Sequence, residues 1–143
     1  MRTGGCHCGA VRFAFDTEPR DIGYCHCSHC RRLTGSAFAA YCEVPDSNLN
    51  VTAGLERIVR YAATAKLDKH FCGACGVTLF TRHRSFAGST YVALGVLDDD
   101  AGIAPAYHQF VASKAKWYEI DDALPQFAEW DDDPRCESTA KSD

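Results

Sequence analysis

The sequence predicts a mainly β domain built from antiparallel strands, and three observations carry that prediction. Apolar residues recur with period two in most segments, short turn clusters separate those segments, and helix signals are few. The length of 143 residues with 46% hydrophobic and 24% charged residues is that of an ordinary globular domain, large enough to bury a core of its own. Positions 1 to 130 read as one domain. The acidic, aperiodic stretch from 131 to 143 reads as a poorly ordered tail in which Cys136 is a free exposed thiol.

Taken in order, Val11, Phe13 and Phe15 alternate in AVRFAFD, and the stretch YCHC opening at Tyr24 reads as a further strand. Phe38, Ala40, Cys42 and Val44 alternate in AFAAYCEV, and Ile58 and Arg60 mark another strand in LERIVRYA. VTLFTR and AYHQFVAS complete the half-buried set, while TYVALGVLD, residues 90 to 98, is apolar almost throughout and is expected to be a strand buried on both faces. Turns are expected at residues 46 to 50, 53 to 54 and 98 to 102. SHCRRLTG should form one helical turn ending at Gly35, and DDALPQF another before Pro125 interrupts it.

Composition excludes several functions. A net charge of -4 speaks against a nucleic-acid partner, which needs a basic face. No apolar run approaches the ~18 residues of a membrane span, and MRTGGCHCGA lacks the apolar region of a secretion signal, so a cytoplasmic protein is expected. Nine cysteines in that compartment point to metal or catalysis before disulfides.

Seven of those cysteines fall into three clusters: Cys6-His7-Cys8, Cys25-His26-Cys27-Ser28-His29-Cys30 and Cys72-Gly73-Ala74-Cys75. In an extended segment C-x-C turns both sulfurs to one side, and a disulfide within such a pair is strained. Cys72, Cys75 and Gly76 suit a knuckle that supplies two thiolates. A structural zinc takes four, and Cys6 with Cys8 offers the second pair, tying the first strand to the middle of the chain. Cys25, Cys27 and Cys30 fill three tetrahedral positions, the form that catalytic zinc sites take, leaving the fourth for a substrate thiol. His29 or Cys42 as fourth ligand would instead close the site. A redox pair within the same stretch is a further alternative, without the βαβ context it expects. In strands, His7 and His26 would point away from the metal, and Cys42 lies on the apolar phase as a small buried hydrophobe.

GGCHCGAVRF at 4 to 13, CHCSHCRRLTGSAF at 25 to 38, HFCGACGVTLF at 70 to 80 and HQFVASKAKWYEIDDALPQF at 108 to 127 together resemble the glutathione-dependent formaldehyde-activating enzyme family, which includes centromere protein V-like domains. The resemblance implies small antiparallel sheets in a β-tent arrangement, stapled by two zinc sites. By motif position, Cys6, Cys8, Cys72 and Cys75 would hold a structural zinc, and Cys25, Cys27 and Cys30 a catalytic one. The implied activity is a carbon-sulfur lyase-type reaction joining formaldehyde and glutathione as S-hydroxymethylglutathione. Arg31 and Arg32 are candidates for binding a substrate carboxylate or offsetting thiolate charge. Arg82, His83 and Arg84 form a second basic patch, and Gly35-Ser36 a turn that would bring amides near the metal. The alternative is a zinc-stabilised glutathione carrier or protein-binding module without catalysis. Oligomeric state and general acid or base are not assigned by the sequence.

Overall fold

In a computed structural model the structure describes residues 1–130, so the expected tail and Cys136 lie outside the described residues. The fold is mainly β, with two sheets as expected. The smaller sheet has the order β1-β2-β5, from Arg2–Gly5, Arg12–Phe15 and Leu49–Ala53. The larger runs β10-β3-β4-β9-β8-β7-β6, with β3 Arg20–Cys25, β4 Ala39–Pro45, β6 Ile58–Ala62, β7 Leu67–Cys72, β8 Thr78–His83, β9 Ser89–Ala93 and β10 His108–Gln109. Every strand pair is antiparallel except β10 on β3.

Alternation decides which face of each strand meets which environment. Val11, Phe13 and Phe15 pack from the small sheet against Cys42, Val44, Leu79 and Val92 of the large one, all at most 1% exposed. Burying a Phe or Val in such a core contributes roughly 1.5–3 kcal/mol each. Gly4 lets the Phe13 ring and the Val96 carbonyl pack closely on β1, because a Cβ there would sit 2.5 Å from each. The opposite phase of the large sheet, carrying Ala39, Tyr41, Thr81, Tyr91 and Ala93, faces a cavity that Thr78 and Phe80 also border.

Three local expectations change. Residues 90 to 98 do not form one strand buried on both faces. β9 ends at Ala93 with Thr90 and Val92 inward and Tyr91 half-buried, and a 3-10 turn follows over Leu94–Val96. The helix after Cys27 is longer than one turn, α1 spanning Ser28–Thr34, and Gly35 ends it in the left-handed conformation at φ 64°. DDALPQF is not helical: its end pairs with β10, Phe127 N–H donating to the His108 carbonyl at 2.9 Å and His108 N–H to that of Pro125 at 2.9 Å. Pro125 removes the donor a helix would need there. Among the described residues no helix is long and apolar enough to cross a membrane.

Candidate metal centres

The seven clustered cysteines form two groups, each with all its sulfurs within 4.8 Å of one another. The first holds Cys6, Cys8, Cys72 and Cys75. Two knuckles of matching design build it. Cys6 N–H donates to the Val11 carbonyl at 3.1 Å and Gly9 N–H to that of Cys6 at 3.2 Å; Cys72 N–H donates to Val77 at 3.0 Å and Gly76 N–H to Cys72 at 2.7 Å. Gly9 and Gly76 share a φ of 79°, which a side chain would strain, so each knuckle needs its glycine. The Cys6-x-Cys8 pair therefore sits in a turn and not in the extended segment expected. One knuckle joins β1 to β2 in the small sheet, the other joins β7 to β8 in the large one, so this cluster bridges the two sheets.

The second group is Cys25, Cys27 and Cys30, at the end of β3 and the start of α1. Cys25 is buried and Cys27 caps α1, its sulfur accepting the Cys30 N–H at 3.3 Å. Among the described residues neither His29 nor Cys42 joins either group; Cys42 is a fully buried core residue, as its phase implied. His7 is exposed, and His26 is fully buried on the side of Phe38, Tyr118 and His108. There its Nε2 bonds His108 Nδ1 at 2.8 Å, and His108 Nε2 bonds Asp122 at 2.9 Å, an arrangement that pins the C-terminal strap to the back of the cysteine loop.

Both groups fit a tetrahedral thiophilic ion. A Zn–S distance of about 2.3 Å implies sulfur separations of about 3.8 Å, and Cys6–Cys8 and Cys8–Cys72 lie at 3.6 and 3.8 Å. None of the eight described cysteines is in a disulfide. Within each group the sulfurs shift one another's protonation. In the trio, hydrogen bonds from Cys25 and Cys30 draw Cys27 down to about 3. The bond to Cys27 pushes Cys25 up, and bonds to Cys25 and Cys27 with burial push Cys30 well up. All three sulfurs would ionise together only beside a positive ion. In the quartet burial works to raise Cys6, yet the Val11 N–H and neighbouring sulfurs hold it at about 6, while Cys8 is raised to about 11. Among the causes acting on Cys8, the Ala10 N–H lowers it and the Cys6 sulfur, with the rest, raises it.

A cavity of about 160 Å³ opens on the trio. Tyr41, Phe80, Phe86, Tyr91, Phe110 and Trp130 give it aromatic walls, and Asp21 is its one acidic side chain. The helix sorts its residues by face: Cys27, Cys30, Leu33 and Thr34 line this cavity, whereas Ser28, Arg31, Arg32 and Gly35 line a separate polar cleft with Ser36 and Trp117. Arg31 and Arg32 are thus adjacent to the sulfurs in sequence and one helix face away in space. The Arg31 Nε is buried without an acceptor among the described residues. The second basic patch is already engaged, Arg82 with Thr90 and Asp46 and Arg84 with Ala65 and Asp68, and His83 accepts the Ser85 N–H. The amides of Gly35 and Ser36 both serve the Arg31 carbonyl and not the sulfurs. Sequence reading missed Tyr41, although an aromatic on the polar phase of β4 was the signal for it.

Residues 1–113 match the family described as glutathione-dependent formaldehyde-activating enzyme. A Halomonas elongata protein provisionally named as such an enzyme is 30% identical over 125 residues, covering 82% of this chain and 80% of its own length. A Penicillium rubens protein named likewise is 28% identical over 113 residues, 76% of this chain and 59% of that longer protein. The crystal structure of a Rhodobacter sphaeroides protein superposes with a TM-score of 0.58 at 30% identity, over 72% of this chain and 97% of the other. The chain belongs to the glutathione-dependent formaldehyde-activating enzyme family.

Proposed function

We propose that the protein is a cytoplasmic zinc enzyme of the carbon-sulfur lyase type that joins a small thiol, glutathione in the first instance, to an aldehyde such as formaldehyde. The observation that carries this reading is the contrast between the two cysteine groups: four thiols clasp two sheets, while three thiols face a cavity. In this reading Cys6, Cys8, Cys72 and Cys75 are structural ligands, and Cys25, Cys27 and Cys30 are the ligands at the reacting centre. A zinc ion held by the three thiolates supplies a position at which an incoming thiol stays deprotonated at neutral pH.

The chain's own residues do the rest. The aromatic walls exclude water and confine the aldehyde beside the sulfur, which raises the effective concentration of the reacting pair. Asp21 makes the cavity unsuited to the carboxylates of glutathione, whereas the cleft around α1 offers Arg31 and Arg32. The buried Arg31 Nε supports a carboxylate there. Family membership supports the substrate class.

The test is a titration of glutathione into the zinc-loaded protein, followed by the rate of S-hydroxymethylglutathione formation with formaldehyde. Binding and acceleration are expected, both lost in Cys27→Ser with the fold retained. Arg31→Ala should weaken glutathione more than the uncharged 2-mercaptoethanol. Binding without acceleration would make the protein a carrier, and no binding would refute the open thiol site.

A further inference from the structure

One cavity-lining group is not explained by thiol holding or by packing. Tyr41 stands on the cavity phase of β4, opposite the core-facing Cys42 and Val44. Its hydroxyl lies 2.7 Å from that of Tyr107, which is 8% exposed and donates to Asp21 Oδ1 at 2.5 Å. A phenol has one proton. Since that of Tyr107 goes to Asp21, Tyr41 must donate to Tyr107, which leaves the Tyr41 lone pairs for the cavity.

The backbone is arranged around this chain of three groups. Asp21 has a φ of 47°, one of two residues other than glycine with positive φ among those described, and it sits where the β3–β4 register shifts between Arg20 and Gly23. Such a conformation persists only where the surroundings impose it. Two residues on, Gly23 makes room for the relay: a Cβ there would stand 2.5 Å from the Tyr107 ring. Tyr24 N–H then holds the Tyr107 carbonyl at 3.0 Å. A left-handed aspartate, a missing side chain and a buried tyrosine from 86 residues away converge on one hydrogen-bonded path. That path runs from Tyr41 within the cavity to Asp21, an exposed residue on the cavity's border.

We propose that Tyr41, Tyr107 and Asp21 form a proton shuttle between the reacting thiol and solvent, with Tyr41 as the group that touches substrate. The proposal rests on the thiol–aldehyde reading above. In the forward direction the thiol proton passes to the Tyr41 oxygen, the Tyr41 proton to Tyr107 and the Tyr107 proton to the Asp21 carboxylate, which exchanges it with water. The sulfur lone pair then forms the C–S bond as the carbonyl π pair moves onto oxygen. The return shift, Asp21 to Tyr107 to Tyr41, delivers one proton to that alkoxide. Thiol and aldehyde become the hemithioacetal with no change of oxidation state and no group left over. Burial first, then the charges of Tyr107, Cys25 and Asp21, hold the Tyr41 phenol well above its ordinary range, so it relays protons without resting as a phenolate.

Asp21→Asn is the decisive variant. Asparagine tolerates the same positive φ and still accepts from Tyr107, but it cannot take a proton. General acid–base groups contribute about 10²–10⁴-fold, so Tyr41→Phe and Asp21→Asn should each lower the adduct-forming rate about 10²-fold. Zinc content, melting temperature and glutathione affinity should stay near wild type in Asp21→Asn, and added formate should restore its rate in proportion to concentration. Either variant working at the wild-type rate would overturn the shuttle. So would a loss in Asp21→Asn that tracks weakened glutathione binding and that formate does not relieve, since that is what a structural tie would give. A wild-type chain that does not accelerate the reaction refutes the thiol–aldehyde reading itself and the shuttle with it.

Discussion

Cys8 separates packing from coordination, because its side chain is exposed while its sulfur stands 3.6 and 3.8 Å from those of Cys6 and Cys72. As an ordinary surface residue, its replacement by alanine should change stability by no more than about 0.5 kcal/mol. As one of four ligands it should cost far more. Structural zinc sites contribute roughly 10–16 kcal/mol in peptides, so a quarter share is roughly 3 kcal/mol, or a fall in Tm of about 10 °C for a domain of this size. The clasp joins a turn of the small sheet to a hairpin of the large one, so its loss also loosens the interface that Phe13 and Leu79 fill. The assay is urea unfolding of wild type and Cys8→Ala, each with and without a strong chelator. Chelation should remove most of the difference between them. Cys42→Ala is the control: fully buried but outside both clusters, it should cost about 1 kcal/mol, and the chelator should leave that cost in place. A Cys8→Ala variant as stable as wild type, with the same response to chelator, would refute the clasp.

Gly23→Ala places a methyl 2.5 Å from the Tyr107 ring, so the ring must move. Overpacking of this kind costs about 1–3 kcal/mol, and a urea melt together with the adduct-forming rate should show both a modest loss of stability and a slowed reaction. Phe13→Ala should destabilise by about 3–5 kcal/mol, read from the same urea curves, because its ring is 1% exposed at the junction of the sheets and against Gly4. With glutathione as thiol, an aromatic aldehyde such as benzaldehyde should compete with formaldehyde, since six aromatic side chains border the cavity. Competition kinetics in which benzaldehyde has no effect at any concentration would count against substrate entry through this cavity.

The elements read correctly from sequence are those whose own residues carry the pattern. Val11, Phe13 and Phe15 placed β2, Cys42 and Val44 placed β4, and Gly35 marked the end of α1. β1 was missed because RTGG has no apolar residue to alternate, and its glycines serve close approach to Phe13. β7 was missed because Asp68 and Lys69 hide its phase; Asp68 is held there by Arg60 and Arg84. β10 lies within the strand expected at AYHQFVAS but is only two residues long, and no local signal announces its parallel pairing with β3. The cysteines of both clusters were legible because ligand spacing is local within each knuckle and loop. Tyr41, Tyr107 and Asp21 were not, since their meeting depends on strand register across separations of 66 and 86 residues. The placement of Arg31 and Arg32 shows the same limit: adjacency in sequence became separation once the residues were wound on a helix.

The most direct test of the central claim is the zinc content per chain of the reduced, purified protein, measured beside Cys8→Ala and Cys27→Ser. Two zinc ions are expected in the wild type and one in each variant, with glutathione binding kept by Cys8→Ala wherever it remains folded and lost by Cys27→Ser. A wild type holding a single zinc that Cys27→Ser does not disturb would contradict the claim.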